Sequence, residues 1–373
     1  MRVVVAPDKF KGCLSAAQVA DAMEAGLRRS RADVEIDRCP LADGGEGTVS
    51  ALVTATGGQF VSRRVTGPLP DMKVDAIFGI LGDGQTAVIE MAAASGLALL
   101  KPDDRDPMRT TTFGTGELMM AAAQIGISRI ILGIGGSATI DGGIGCAQAC
   151  GLPVILAGGE PLSPSEPLVG ADLERVVLIK HGRGSPIERI HIDVACDVTN
   201  PLCGKTGAAE VYGPQKGATP EQIHALDAAL MNLARRNDKI IEANLPGAGA
   251  AGGLGFAMAA FFGAKLSSGV QIVMDAVDFR RRLTGADLCL TGEGRLDRSS
   301  LSGKVVTGVT RVCRDAQIPC IVLAGSIEPA VDFSVEGITA FQIAGDTITV
   351  GESIEQAETL IAAKAECILR SRL

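Results

Sequence analysis

The sequence predicts an α/β protein with a parallel-sheet outer domain formed by both termini and a second α/β domain inserted into it. Short apolar runs of the buried-strand type alternate with helical stretches over the first sixty and the last hundred residues. Between them, strands joined by tight turns give way to Gly-rich loops. The chain has 373 residues, more than one ordinary domain of about 150.

Residues 3–6 form a continuous apolar strand, and Ser15 stands as an N-cap before a helix over 16–29. Val19, Ala22, Met23 and Leu27 recur along that helix at helical spacing. Residues 34–39 alternate as a second strand, and 48–56 read as a second helix. In the middle, 61–81 reads as strands joined by turns at Gly67-Pro68 and Leu69-Pro70-Asp71, and Gly82-Asp83-Gly84 marks another hairpin. A helix over 116–125 and a strand over 130–132 follow. Toward the end, strands over 288–291, 320–324 and 338–343 alternate with helices over 305–316 and 354–371. The expected division is therefore residues 1–61 plus 271–373 for the outer domain and 62–270 for the insert.

Composition excludes several functions. Lys plus Arg number 35 against 43 Asp plus Glu, a net charge of -8, which argues against nucleic-acid binding but not against a small anionic ligand. There are 47 Gly, 1 Tyr and no Trp, so backbone contacts are plentiful and stacking surfaces scarce. Ten cysteines without a CxxC pair and no signal-peptide pattern predict free, mostly buried thiols in the cytoplasm. His181, His191 and His224 do not share metal-ligand spacing, against zinc sites and Ser-His-Asp triads. Residues 245–264 are uncharged over a membrane span's length, but six are Gly. A Gly-rich loop entering a buried helix at 254–262 is expected there, and no membrane partner.

In an open parallel sheet, ligands bind beyond the carboxyl ends of the strands. Three outer-domain strands lead into polar clusters: Asp8-Lys9-Phe10-Lys11, then Asp43-Gly44-Gly45-Glu46-Gly47, then Gly292-Glu293-Gly294-Arg295-Leu296-Asp297. A fourth strand, 319–325, ends in Gly325-Ser326. In the insert, the strand at 130–132 runs into Gly133-Ile134-Gly135-Gly136-Ser137-Ala138-Thr139, whose amides and hydroxyls suit an oxyanion such as a nucleotide phosphate. Read literally, Gly133, Gly135 and Ala138 match the dinucleotide GxGxxA pattern, but Gly142, Gly143 and Gly145 interrupt the helix it requires. Gly247, Gly249 and Gly252 match GxGxxG without a preceding strand. No Walker A loop exists, since Thr199 and Arg298 stand where its first Gly is needed before Gly204-Lys205-Thr206 and Gly303-Lys304. Asp197, before Thr199-Asn200-Pro201, is placed either to accept a hydroxyl proton or to cap a turn. Tyr212-Gly213-Pro214-Gln215-Lys216-Gly217 is a tight loop with one cation.

Collected in order, these blocks resemble the bacterial glycerate 2-kinase family. They are Ala6-Pro7-Asp8 with Phe10-Lys11 and Leu14-Ser15-Ala16, then ADGGEGT (42–48), TGPL (66–69), EMAAASG (90–96) and GTGEL (114–118). GIGGSAT (133–139), ACDVTNPL (195–202), GPQKGA (213–218), GAGAAGG (247–253), TGEGRLD (291–297) and Gly303-Lys304 complete the series. Lys9, Ile140, Arg298-Ser299 and the segment after Cys150 depart from the family's usual residues. The resemblance implies ATP-dependent, Mg²⁺-assisted phosphorylation of D-glycerate at its 2-hydroxyl. It also implies one flavodoxin-like domain and one resembling restriction endonucleases, with the site where the two meet. Nothing in the residues themselves selects the 2- over the 3-hydroxyl, and the oligomeric state stays open.

On this reading Gly135, Gly136, Ser137, Ala138 and Thr139 cradle ATP phosphates through backbone amides. Asp8, Lys11 and Arg295 bind substrate, with Lys11 and Arg295 facing its carboxylate or the transferring phosphoryl group. Asp197 accepts the hydroxyl proton, and Asp43 or Glu46 holds Mg²⁺ through water. The rival reading is an NAD-dependent dehydrogenase of a small hydroxy acid, for which the histidines lie outside every cluster.

Overall fold

A computed structural model of the chain describes residues 1–158, 166–180, 184–301, 304–345 and 348–371. His181 and Gly303 lie outside these. In chain order the strands are β1 (Arg2–Val5), β2 (Glu35–Arg38), β3 (Gln59–Thr66), β4 (Lys73–Ile80), β5 (Thr86–Glu90) and β6 (Arg129–Gly133). Then come β7 (Val154–Leu156), β8 (Val176–Ile179), β9 (His191–Ala195), β10 (Lys265–Ser267), β11 (Leu288–Leu296), β12 (Cys320–Ile327) and β13 (Thr339–Gln342). Two units form: Met1–Asp43, Ser50–Gly58 and Val270–Leu373 make the first, and Gly44–Val49 with Gln59–Gly269 the second.

The first unit holds an all-parallel sheet in the order β13-β12-β11-β1-β2. Counted within the unit this is 2-1-3-4-5, the flavodoxin-like order, whose switch point falls between β1 and β11. Both faces are covered, which is why its strands read as runs rather than alternations. Val3, Val5, Leu288, Leu290 and Leu323 pack with Val19, Met23, Leu27, Ile361 and Ala365 of the helices Ala16–Ser30 and Ala357–Arg370. Val322 and Ala324 pack with Val306 and Phe333. The Ser15 cap is realised as a reciprocal box. The Gln18 amide donates to Ser15 Oγ at 3.3 Å, and the Ser15 amide donates to Gln18 Oε1 at 3.0 Å.

Two expectations are corrected here. The third polar cluster does not follow its strand but lies within it. β11 continues to Leu296 because Gly292, Glu293, Arg295 and Leu296 pair with Leu323, Ala324, Ser326 and Ile327 of β12. Backbone pairing needs no apolar side chains, so the strand runs on through the polar Glu293 and Arg295. The helix expected over 354–371 is two helices. Thr349 and Glu352 cap a separate Val350–Glu355, and Gln356 breaks the chain before Ala357–Arg370.

The second unit holds a mixed sheet, β10-β9-β6-β5-β4-β3, in which β5, β6, β9 and β10 run parallel and β3 and β4 antiparallel. Asp83 Oδ1 accepts the Gln85 and Thr86 amides, both at 2.9 Å, and shapes the hairpin into β5. The core joins Phe78, Ile89 and Leu132 to Leu118 and Met119 of the helix Phe113–Ile125, which begins three residues before the expected position 116. The helix Leu254–Phe262 is buried along most of its length, as its charge-free sequence predicts. Among the described residues no helix is long and apolar enough to cross a membrane.

Candidate functional site

In the first unit, polar groups gather at the carboxyl ends of β1, β2 and β11, at the switch point. The Asp8 amide donates to the Gly292 carbonyl (2.9 Å), so the residue after β1 is tied to the end of β11. Asp8 is only 7% exposed. Burial, followed by the charge of Asp43, raises its carboxyl from 3.8 to about 7, against the pull of Lys9. The Lys9 amide donates to Asp8 Oδ1 (2.7 Å), and Lys9 Nζ lies 4.0 Å from Asp43 Oδ1. Burial also raises Glu293, against the Ser300 hydroxyl and Lys304. Lys304 Nζ stands 3.8 Å from Glu293 Oε2 and 3.9 Å from Asp297 Oδ1. Glu293 Oε1 is buried and accepts no hydrogen bond from the described residues.

Hard oxygen donors around a bare carboxylate oxygen fit a divalent cation that retains some of its waters. Arg295 is largely exposed, with Nε 3.6 Å from Asp297 Oδ2, and Lys11 is exposed beside Gly294. Asp8, Lys11, Asp43 and Arg295 thus belong to one unit, together with Glu293 and Lys304, to which sequence reasoning gave no separate role.

In the second unit, the carboxyl ends of β5, β6 and β9 carry Glu90, the loop 133–139 and Asp197. The Gly44–Gly45 turn lies over the ends of β6 and β9. A side chain at Gly44, whose φ is +86°, would put its Cβ 2.6 Å from Ala195 Cβ, and one at Gly133 would put it 2.4 Å from the Gly44 carbonyl oxygen. Only glycine permits that approach. The Val49 amide donates to Glu90 Oε1 at 2.8 Å, and Thr48 Oγ1 donates to the Gly45 carbonyl at 2.6 Å. Both bonds fix the turn. Glu46 is exposed within it. Asp197 is exposed, and its Oδ1 accepts the Gly269 amide at 3.0 Å.

The loop 133–139 has a cation beneath it. Lys216 is 2% exposed, and its Nζ donates to Ser137 Oγ (2.7 Å) and to the Thr139 carbonyl (2.8 Å). Burial lowers its ammonium from 10.5 to about 7, opposed by Asp141. Asp141 is fully buried and accepts the Thr112 amide (2.8 Å) and hydroxyl (2.7 Å), with further bonds from the amides of Gly143 and Gly145. It anchors the loop's exit. Thr139 Oγ1 is buried without a partner among the described residues.

Gly135 and Gly136 are exposed, as an anion cradle requires. The Ala138 amide, however, donates to the Ser95 carbonyl (2.9 Å), so this residue is corrected from donor to spacer. Spacing shows Lys216 only as one cation in a tight loop and gives no sign of Asp141, because neither burial nor pairing is visible in it.

Neither glycine run forms a dinucleotide site. After Gly133 the next helix begins at Ile144, eleven positions later, and the run at 247–252 follows the helix Ile240–Ala243 rather than a strand. The dehydrogenase reading gains nothing from either. Likewise, the Gly204 amide is already engaged, donating to Asp227 Oδ1 (2.8 Å).

Residues 3–372 match the Glycerate kinase family. The chain is 43% identical to a Haemophilus influenzae protein named Glycerate kinase, over 99% of this chain and 98% of that protein. It is 46% identical to an Escherichia coli protein named Glycerate 2-kinase, over 88% of this chain and 86% of that one. A solved structure described as glycerate kinase 2, from Salmonella typhimurium LT2, superposes with a TM-score of 0.89 at 44% identity, covering 100% of this chain and 98% of that one.

Proposed function

The chain belongs to the glycerate kinase family, and from that premise we propose that it transfers the γ-phosphoryl group of ATP to the 2-hydroxyl of D-glycerate. The observation that carries the phosphoryl chemistry is the loop 133–139 with Lys216 Nζ held 2.7 Å from Ser137 Oγ. Exposed glycine amides over a buried ammonium form an anion cradle that costs little reorganisation when phosphate arrives.

Gly135, Gly136, Ser137 and Thr139 hold the nucleotide phosphates, and Ala138 spaces them. Asp197 accepts the hydroxyl proton, and the bond from the Gly269 amide orients its carboxylate. Lys11 and Arg295 meet the substrate carboxylate or the transferring phosphoryl group, where a guanidinium gives a planar, two-pronged contact. Asp8, raised to about 7, accepts or donates a hydrogen bond to substrate according to its protonation. Mg²⁺, which neutralises phosphate charge when bound, is held by Asp43 or Glu46. The bare Glu293 Oε1 and the mutual repulsion of Asp8 and Asp43 support Asp43.

The test is ADP release dependent on both D-glycerate and Mg-ATP, followed by phosphorus NMR of the product. Phosphate on the 2-oxygen couples to one methine proton and gives a doublet. A triplet, from coupling to the two methylene protons, places the phosphate on the 3-oxygen and overturns the assigned position.

A further inference from the structure

We infer that Cys289, Cys313 and Cys320 form a three-sulfur site for a single soft monovalent metal ion of the Cu(I) class. The three sulfurs all lie within 4.8 Å of one another, although the residues are spread over 32 positions of sequence. One β-α-β unit assembles them. Cys289 and Cys320 are direct partners in the parallel register of β11 and β12, and Cys313 lies near the end of the connecting helix Val305–Asp315. The turn between helix and strand is fixed by backbone bonds, from the Ile318 amide to the Cys313 carbonyl and from the Cys289 amide to the Pro319 carbonyl, both 2.9 Å. All three are free thiols rather than a disulfide pair and a remainder.

The donor set selects the ion. Among the described residues, no His, Asp, Glu or fourth Cys joins the group. Three soft sulfurs without a fourth donor complete a trigonal Cu(I) sphere, whereas zinc in a structural site takes four ligands in a tetrahedron. Cys289 and Cys313 are fully buried, and Cys320 as a residue is partly exposed. The trio sits at the amino ends of β11 and β12. Glu293 stands four residue steps beyond Cys289 along β11, on the order of 13 Å at strand rise. A metal here is therefore distinct from any at the carboxyl-end cluster.

The test is anaerobic titration of the reduced full-length protein against Cu(I) held by a chromophoric chelator, with loss of chelator colour as the readout. The wild-type chain withdraws one equivalent. Cys320→Ser and Cys313→Ala weaken that withdrawal by more than the roughly 10–100-fold typical of losing an outer partner. Cys150→Ser serves as the control, because Cys146 Sγ lies 3.6 Å from Met119 Sδ and makes that neighbourhood the competing sulfur cluster. It keeps full uptake. Thermal melts report folding, and two independent variants at the trio ensure that one misfolded protein does not decide the outcome. Withdrawal that is absent, equal in all variants, lost only in Cys150→Ser, or replaced by tight zinc retention overturns the assignment.

Discussion

Asp8→Asn should stabilise the protein at alkaline pH. Asp8 is buried beside Asp43, and its carboxyl titrates near 7 rather than 3.8. Between those values the native state binds a proton that the unfolded state has released. Its contribution to stability is thus complete below about pH 4 and is lost as pH rises toward 7. From pH 5 to pH 8 the native carboxyl titrates across two pH units that the unfolded one has already passed. At about 1.4 kcal/mol per unit, this removes about 3 kcal/mol. Asn has the same shape, keeps an acceptor for the Lys9 amide at 2.7 Å, and carries no charge to bury. Urea unfolding of both proteins at pH 5 and pH 8 measures the effect. The stability difference, variant minus wild type, should grow by about 3 kcal/mol between the two pH values. An unchanged difference would refute the burial argument, whatever the variant does to activity.

Asp197→Asn retains an acceptor for the Gly269 amide and should lower kcat by ~10²-fold or more with little change in KM; near-normal turnover removes Asp197 as the base. Lys216→Met leaves Ser137 Oγ and the Thr139 carbonyl without their donor, and at about 1–3 kcal/mol per orphaned group should cost roughly 2–6 kcal/mol of stability in denaturant unfolding. It should also abolish a pH effect: the wild-type ammonium titrates near 7 in the folded state, below its ordinary 10.5, so wild-type stability rises with pH across that interval and the variant's does not. Arg295→Ala should raise the KM for D-glycerate about tenfold or more, the loss of one charged hydrogen bond, and an unaltered KM in initial-rate assays takes Arg295 out of substrate binding.

What the sequence disclosed was local. Ser15 and Gln18 cap a helix from four adjacent residues, and the Asp83 turn is written in Gly-Asp-Gly. The helix Pro220–Arg236 is open to the same reasoning: Thr219-Pro220-Glu221-Gln222 carries both a capping box and Pro at the first helical position. Strand ends were less legible. Periodicity ends a strand where apolar residues stop, but Gly292–Leu296 stays in β11 because a neighbouring strand is there to pair with. That neighbour is supplied by residues about thirty positions away.

The candidate site divides along the same line. Glycine loops are recognisable because their function is carried by the backbone, and Gly44 and Gly133 are glycines for the local reason that their backbones approach another chain segment. Lys216 is different. A lysine in GPQKGA is an ordinary surface residue until Ser137 and Thr139, nearly eighty positions earlier, accept its ammonium and burial lowers its pKa. Asp141 and Glu293 are perturbed by the same kind of event. Chemistry that depends on desolvation is a property of the packed chain, so its residue types can be read in advance but its strength cannot. The thiol trio is the extreme case. Its cysteines stand 24 and 7 residues apart along the chain, a spacing that matches no metal motif. Only the register of β11 on β12 brings Cys289 beside Cys320, with Cys313 closing the triangle from the connecting helix.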